Sequence, residues 1–180
     1  MEDIETERLL IRRFRADDWS DLQDMIVQKE SSHYAVFDHE WPTSESEIKK
    51  ITEWFAEGDR FRVVCLKEFG KLIGFISLNR TEKKDRTGYD LGFCFNSSYQ
   101  GRGYATESCK ALLNYAFSKL KAEEITSGTA AENRPACNLL TRLGMKKIGE
   151  EKMALRKDSN GVPIEFVGLT FAMSRDLWSK

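Results

Sequence analysis

The chain has 180 residues, 41% of them hydrophobic, and this is enough for one domain with a substantial core. Charged residues make up 32%, yet they nearly cancel to a formal net charge of -1. That balance argues against a dedicated nucleic-acid or membrane-surface binder. No segment approaches the roughly 20 apolar residues that span a bilayer, and the acidic N-terminus is unlike a signal peptide. We therefore expect a cytoplasmic protein with a single domain over residues 1–180.

Cysteines and histidines give no sign of a disulfide scaffold or a metal site. The four cysteines are widely spaced: Cys65, Cys94, Cys109 and Cys137. They form neither a CxxC pair nor a secreted-scaffold spacing, which favours buried, reduced thiols. His33 and His39 share one polar and aromatic segment without a nearby cysteine or carboxylate set, so no metal is expected.

The first third of the chain predicts a strand followed by two helices. Apolar residues alternate over residues 8–14, which indicates the strand, and Asp17 or Asp18 can cap the next helix. Ser44-Glu45-Ser46-Glu47 is a capping-box pattern in front of apolar residues at helical spacing. Gly58 is expected to end this second helix.

Strands dominate the prediction for the middle of the chain. Residues 61–66 and 72–78 read as a hairpin, with a charged, exposed loop expected over residues 80–87. Residues 89–95 then alternate apolar side chains onto one face, as a strand does. This strand leads into a glycine-containing loop, Gln100-Gly101-Arg102-Gly103-Tyr104-Ala105.

The second half predicts a mixed α/β domain. A helix begins near Tyr104 with a clean apolar stripe, a short strand follows over residues 125–129, and a capped helix occupies residues 133–144. Residues 145–155 and 164–174 are expected to be two further strands. Strands then outnumber helices, and a strand-helix-strand unit joins an antiparallel majority.

The loop between the predicted strand and helix has the properties of an anion cradle. Gly101 and Gly103 can take positive φ and let the backbone approach a ligand closely. The following helix presents unpaired N–H groups and the positive end of its dipole. Arg102 adds a permanent charge with a forked donor set that suits phosphate oxygens, so a diphosphate is a natural ligand.

Three interpretations of this loop remain open: a glycine turn without ligand, a dinucleotide site and a coenzyme A site. The dinucleotide interpretation needs the strand to run directly into the glycines, whereas Asn96 to Gln100 intervene. It also needs an acidic residue at the end of the next strand, which residues 125–129 do not clearly supply. A P-loop fails, because no Gly-Lys-Ser/Thr follows.

The loop resembles the Gln/Arg-x-x-Gly-x-Gly/Ala signature of the GNAT acetyltransferases, whose main-chain N–H groups bind the coenzyme A pyrophosphate. Its surroundings resemble the branch that contains ribosomal-protein N-terminal acetyltransferases. The companion motifs, in order along nearly the whole chain, are Thr6-Glu7-Arg8-Leu9-Leu10-Ile11-Arg12, Leu91-Gly92-Phe93, Gly103-Tyr104-Ala105-Thr106-Glu107, and Asn133 followed by Leu143-Gly144-Met145.

This resemblance implies a largely antiparallel, twisted central sheet of about six to seven strands flanked by about four helices. It assigns a splayed parallel pair to residues 89–95 and 125–129, with acetyl-CoA between them. The residues that it implies for cofactor binding are Phe93, Cys94, Phe95, Gln100, Gly101, Arg102, Gly103, Tyr104, Ala105 and Asn133. Gly92 fits close approach of the pantetheine arm or simple packing equally well, and Asn133 can also serve only as a helix cap.

The resemblance is incomplete at the positions that serve the leaving group. Many relatives have a tyrosine general acid where this chain has Leu140, and the ribosomal-protein branch often has a serine where this chain has Ala136. Asp90 aligns with the family's carboxylate base, although a solvated strand carboxylate is nearly as good an interpretation. Glu107 also matches the family, but a helix-dipole role is favoured for it.

The acceptor side is expected in the segment between the first two helices. The resemblance implies that residues 31–41 overhang the acceptor groove, with these substrate-binding candidates: Tyr34, Phe37, Asp38 and Trp41. The aromatic residues can equally belong to the core. The two acidic residues, Asp38 and Glu40, can attract a cationic amine or simply be solvated.

The resulting hypothesis is direct acetyl transfer from acetyl-CoA to a primary amine, most consistent with a protein or peptide N-terminal α-amine such as that of a ribosomal protein. The alternatives are a small-molecule amine acceptor, a non-catalytic acetyl-CoA-binding module and a dinucleotide-binding oxidoreductase. Cys94 and Cys137 lack a neighbouring histidine in sequence, so an acetyl-cysteine carrier is not favoured. The family often forms homodimers, which leaves a homodimer open.

Overall fold

The computed structural model describes residues 2–83 and 86–178. Within these residues one sheet has eight strands: β1 (Ile4–Glu5), β2 (Leu9–Arg13), β3 (Phe61–Leu66), β4 (Leu72–Lys83), β5 (Arg86–Phe95), β6 (Glu124–Ala130), β7 (Lys146–Lys157) and β8 (Pro163–Ser174). The helices of the same described part are α1 (Trp19–Glu30), α2 (Glu45–Glu57), α3 (Tyr104–Ser118), α4 (Arg134–Arg142) and the single turn α5 (Arg175–Trp178).

The strand order is β1-β2-β3-β4-β5-β6-β8-β7, and every neighbouring pair is antiparallel except β5 with β6. That parallel pair is short, since its register runs only from Gly88 opposite Glu124 to Asp90 opposite Thr126. Beyond Asp90 the two strands diverge. The predicted mixed α/β sheet with a splayed parallel pair is thus confirmed.

Two apolar cores cover the two faces of the sheet. The larger core packs α3 and α4 on one face, which we call the α3 face. The smaller core packs α1 and α2 on the opposite face of β3 and β4, which we call the α1 face. On the α1 face of β6 and β8, Thr126 and Thr170 are half-buried and Gly128 is exposed. The helices therefore leave that part of the α1 face accessible.

The structure corrects two details of the local predictions. The loop expected over residues 80–87 is wrong, because β4 continues to Lys83 and β5 begins at Arg86. The capping box is also wrong: Ser44 is the N-cap of α2, but its hydroxyl donates to the Glu47 carboxylate instead of capping the main chain. Gly58 follows the end of α2 as predicted.

Candidate active site

The opening between β5 and β6 begins where their main-chain pairing stops. Asp90 opposite Thr126 is the last registered pair. One residue further, Ser127 is fully buried and its hydroxyl donates 2.8 Å to the Leu91 carbonyl. This side-chain bond closes the lower end of the gap. The rest of β5, through Phe95, has no ladder partner on β6 within the described residues.

The glycine loop has the backbone conformation that its sequence predicts. Gly101 has φ 75° and Gly103 has φ 82°, both in the left-handed region. Gly103 is the N-cap of α3 and has no side chain with which to cap the helix. The first turn of α3 thus presents main-chain N–H groups that lack an intrahelical acceptor. Together with the dipole of a 15-residue helix, these groups favour an anion.

Glu107 fixes this loop to the N-terminal strands. Its carboxylate accepts hydrogen bonds from the Thr6 hydroxyl at 2.6 Å and from the Arg8 N–H at 3.0 Å, and it pairs with the Arg8 guanidinium at 2.6 Å. Burial alone would raise the pKa of Glu107, but these bonds hold it below its ordinary value. The structural interpretation of Glu107 is therefore the one that the contacts support.

Arg8 is a residue of this site that the sequence did not single out. Its Nη1 donates 3.0 Å to the Arg102 carbonyl, and its guanidinium lies 4.6 Å from the centre of the Tyr104 ring. It therefore contacts both sides of the Gly103 turn. Its side chain is 43% exposed and its charge is balanced by Glu107, so the exposed Arg102 supplies the net positive charge beside the cradle.

The other predicted cofactor residues are divided between the loop and the two faces of β5. Gln100 is exposed, and its amide donates 3.3 Å to the Phe95 carbonyl. The residues packed at the edge of the larger core are Phe93, Phe95, Tyr104 and Ala105. Cys94 points to the opposite face and packs with the smaller core. The structure thus brings the loop and the upper end of β5 together.

Packing explains why position 92 is a glycine. A Cβ at this position would collide with the Ser77 hydroxyl, which lies opposite it on β4. Ser77 is buried. Accommodation of Ser77 is therefore sufficient to explain a glycine inside this strand.

Cys94 and Cys137 are not poised as nucleophiles. Burial raises the pKa of Cys94 to about 12. Burial also raises the pKa of Cys137, whose thiol donates to the Ala130 carbonyl. Since the thiolate is the reactive form, neither side chain is suited to carry an acetyl group. All four cysteines are free, and of these Cys65 and Cys109 are buried.

Asp90 lies on the α1 face at the base of the gap. The Thr126 hydroxyl donates 3.3 Å to its carboxylate from the neighbouring strand. Burial raises the pKa of Asp90 above its ordinary value, and the bond from Thr126 offsets part of that rise. A carboxylate with a raised pKa is a better proton acceptor than a fully solvated one.

A floor of small residues extends from Asp90 along the α1 face; we call it the trough. It consists of Gly128 and Ala130 on β6, Gly168 on β8 and Gly149 on β7. Ala130 is buried and the Met153 side chain lies over Gly168, so the open part of the trough is at Gly128 and Gly149. A Cβ at Gly149 would meet no atom within 4 Å, and one at Gly128 would reach only the Leu169 carbonyl at 4.0 Å. Packing therefore does not require glycine at either of these two positions.

The predicted substrate-binding residues have different roles in the structure. Trp41 packs on Phe55 and Phe75 in the smaller core, with ring centres 6.2 Å and 6.1 Å away. Asp38 pairs with Lys29 at 3.0 Å, so its charge is already balanced.

The other two candidates lie earlier in the same segment. Phe37 packs edge-on against Phe166 of β8 at 5.4 Å, beside the trough. The Tyr34 ring lies at a tilted angle to that of His33, with centres 3.8 Å apart, and Tyr34 is half-buried. Of the four candidates, Phe37 is the one in contact with the sheet next to the trough.

Comparison with known proteins decides the family. The profile described as "Acetyltransferase (GNAT) domain" matches residues 8–146. The chain belongs to the GNAT acetyltransferase family. The uncharacterized N-acetyltransferase YnaD of Bacillus subtilis (strain 168) is 30% identical over 157 residues, which cover 86% of this chain and 88% of that protein. The protein is thus an N-acetyltransferase, and the dinucleotide alternative is excluded.

Solved structures show the same GNAT fold at lower identity. Ribosomal-protein-S5-alanine acetyltransferase from Vibrio fischeri superposes with a TM-score of 0.80 at 18% identity, covering 99% of each chain. RimJ of Mycobacterium smegmatis, solved in complex with CoA-disulfide, has a TM-score of 0.77 at 18% identity and covers 96% of this chain and 84% of its own.

The acetyltransferase has no side-chain hydroxyl at positions 140 and 136, where the sequence resemblance led us to look for a tyrosine and a serine. Leu140 is fully buried in the larger core and Ala136 is 8% exposed, so no side-chain donor exists at either site. Asn133 caps α4, because its side-chain oxygen accepts from the Ala136 N–H at 3.2 Å. That bond uses the side-chain oxygen and not the amide nitrogen of Asn133.

Among residues 2–83 and 86–178, no group of three or more histidine, cysteine or acidic side chains is placed to hold a metal ion. In the same described residues, no helix is long and apolar enough to cross a membrane.

Proposed function

We propose that this enzyme transfers an acetyl group from acetyl-CoA directly to the N-terminal α-amine of a peptide or protein. The observation that carries the proposal is the position of Asp90 at the junction of the β5–β6 gap and the trough. A proton acceptor at that junction can serve an amine that enters along the trough. At Gly128 and Gly149 the trough offers main chain with open space above it, which suits an extended peptide.

The residues on the cofactor side fit coenzyme A. Gly101, Gly103 and the first turn of α3 form a cradle for the pyrophosphate, with Arg8 and Arg102 as flanking cations. Beyond Leu91, β5 pairs with β4 on one side, and its main-chain groups that face the gap on the other side can hydrogen-bond the pantetheine arm and polarise a carbonyl. The amide nitrogen of Asn133 can bind the same arm. Bound acetyl-CoA supplies a thioester carbonyl as the electrophile.

Amine basicity explains why an α-amine suits this site. At pH 7 an α-amine of pKa near 7.8 is about 14% neutral, whereas a lysine amine of pKa near 10.4 is about 0.04% neutral. Asp90, acting through a water because its side chain is short, is a modest base and is sufficient for the former. The buried Leu140 is consistent with the same chemistry, since a thiolate of pKa about 8.5 can leave without full protonation at a cost of about 2 kcal/mol.

Names of the solved neighbours support a ribosomal acceptor. One of them is a ribosomal-protein-S5-alanine acetyltransferase, and its fold covers nearly all of this chain. We therefore propose a ribosomal protein with an accessible N-terminus as the first macromolecular acceptor to test. A small-molecule amine is the second candidate. When no peptide occupies the trough, it also admits the amine of a polyamine or an aminoglycoside.

Release of coenzyme A thiol from acetyl-CoA tests the proposal. The acceptors are short peptides with a free N-terminal alanine or serine, the same peptides with a blocked N-terminus and one internal lysine, spermidine, and an aminoglycoside. We expect turnover only with the free α-amine peptides. Turnover with the blocked lysine peptide or with spermidine, and none with free α-amines, would overturn the choice of acceptor.

A further inference from the structure

Arg156 lies at a β-bulge that aims its side chain away from the sheet. The β7–β8 register passes from Ala154 opposite Glu165 to Lys157 opposite Pro163, so β7 advances three residues while β8 advances two. The extra residue falls at Leu155 or Arg156. Bulges redirect side chains and are common beside active sites. Here the Arg156 side chain, 17% exposed, is directed toward the end of α1.

The Arg156 guanidinium binds two separate pieces of chain at once. Its Nη1 and Nη2 form a forked pair with the Glu30 carboxylate at 2.9 Å and 3.0 Å. Its Nε donates 2.7 Å to the Asp38 carbonyl, and Nη2 also donates 2.9 Å to the His39 carbonyl. One side chain of β7 thus holds the last residue of α1 and the main chain eight and nine residues beyond it.

Glu30 is the centre of this cluster. Its carboxylate also accepts from Lys29 at 3.2 Å and from the Trp41 main-chain N–H at 3.3 Å. Lys29 in turn pairs with Asp38 at 3.0 Å. Two cations and two carboxylates therefore balance within one partly buried cluster. We call the segment over residues 31–41 the acceptor loop; these bonds tie its C-terminal part, at residues 38, 39 and 41, back to Glu30 and Arg156.

The acceptor loop forms a wall beside the trough. Phe37 contacts Phe166, and Phe166 lies on the same face of β8 as Gly168 and Thr170. At the other end of the loop, the Trp41 ring packs on Phe75 of β4. The loop therefore contacts β8 at Phe37 and β4 at Trp41, on the face where the amine is proposed to enter.

We propose that Arg156 is a positioning residue for the acceptor: it clamps the acceptor loop at a fixed height above the trough, so that binding of the amine, and not of acetyl-CoA, depends on it. The inference rests on the proposed acceptor site. The glycine cradle is made of residues 100–105 and Arg8, whereas the bonds of Arg156 described above go to Glu30, Asp38 and His39. Loss of the clamp should leave that cradle intact.

The test compares Arg156→Met with Arg156→Lys. Methionine removes the fork and the charge, whereas lysine keeps the charge without the planar fork. For the amine peptide we expect Arg156→Met to raise KM about tenfold or more, with the KM for acetyl-CoA changed less than about twofold. Arg156→Lys should raise the KM for the peptide less than Arg156→Met does. The control is Lys147→Met, which removes an exposed β7 cation paired with Glu150 and should alter neither KM.

Hydrogen exchange gives a second readout that does not depend on the acceptor. In Arg156→Met without any ligand, amides of residues 31–41 should exchange faster, while those of α3 and β5 should not. Faster exchange throughout the domain, or equal increases in both KM values, would overturn the inference by showing a general structural role. Unchanged exchange in residues 31–41 would overturn it as well. If no peptide α-amine is acetylated, the proposed function fails, and the exchange experiment still decides the clamp.

Discussion

The Thr126 hydroxyl donates a hydrogen bond of 3.3 Å to the Asp90 carboxylate, at the last residue pair that joins β5 to β6. This bond opposes the rise in the pKa of Asp90 that burial causes. Thr126→Val should therefore raise the pKa of Asp90 further. If Asp90 is the base, the acid limb of the kcat/KM profile should move to higher pH, while Thr126→Ser should leave it in place. An acid limb that stays put in Thr126→Val would remove Asp90 from the mechanism.

Replacement of the carboxylate itself should affect rate and stability in opposite directions. Asp90→Asn should lower kcat/KM by about 100-fold, a typical contribution of a general base. Because burial raises the folded-state pKa of Asp90, the ionised form destabilises the fold, and this penalty develops as the pH rises through that pKa. We expect the melting temperature of Asp90→Asn to match the wild type in acid and to exceed it at neutral pH. A lower melting temperature at neutral pH would contradict the assigned desolvation.

The cradle can be tested with a matched pair of glycines. Gly101 has φ 75° and Gly70, in the distant β3–β4 turn, has φ 65°, and a Cβ would meet no atom within 4 Å at either position. Alanine at each should cost about 1 kcal/mol of stability through backbone strain alone. Only Gly101→Ala should also weaken coenzyme A binding, by about tenfold in calorimetric Kd. Equal affinities in the two variants would place the pyrophosphate elsewhere.

The contacts of Glu107 with Thr6 and Arg8, which anchor the glycine loop, should stabilise the fold less at acid pH. The pKa of Glu107 is held low by Thr6 and Arg8, so its contribution to stability is present above the unfolded-state pKa and is lost as the pH falls through the folded-state value. Glu107→Gln removes this ionisation. The melting temperature of the wild type should exceed that of Glu107→Gln at neutral pH, and the difference should close in acid. A difference that is independent of pH would mean that packing, and not the charge, provides the anchor.

Substitution of Gly128 should weaken acceptor binding without lowering the stability of the fold. A β-branched residue is favoured over glycine in a strand by up to about 1 kcal/mol, and here its side chain would enter open space above the trough. Gly128→Val should thus fold at least as stably as the wild type but raise the KM for the peptide. Gly128→Ala should give an intermediate KM. Thermal melts and steady-state kinetics with both substrates check this, and an unchanged peptide KM would exclude the trough.

Much of the fold follows from local patterns. The apolar stripe of α3 and the cap and stop of α4 were correct because each depends on residues within one or two turns. The continuation of β4 and β5 through charged residues was missed, because only their mutual register, such as Thr81 opposite Gly88, makes them strands. Pairing of that kind is absent from a single-sequence pattern.

In the candidate site too, the features that depend on local sequence were predictable and those that depend on distant contacts were not. Positive φ at Gly101 and Gly103 was predictable, since the loop itself requires it. The bonds from Arg8 to Glu107 join residues that are 99 positions apart, and the sequence near either residue does not predict them. Asp38 appeared free in the sequence, but Lys29 neutralises it, and Trp41 belongs to a core that forms only when α2 packs on the sheet.

The brief pairing between β5 and β6 also has a consequence for cooperativity. Main-chain bonding across the middle of the sheet consists of three registered residue pairs, the Ser127 bond to Leu91 and the bond from the Glu123 N–H to the Thr87 carbonyl. Strands β6, β8 and β7 are joined to one another by far longer ladders. Side chains of the larger core therefore provide most of the connection between this C-terminal group and the rest of the sheet, and a ligand lying in the gap would add bonds between the two and raise the free energy of local opening.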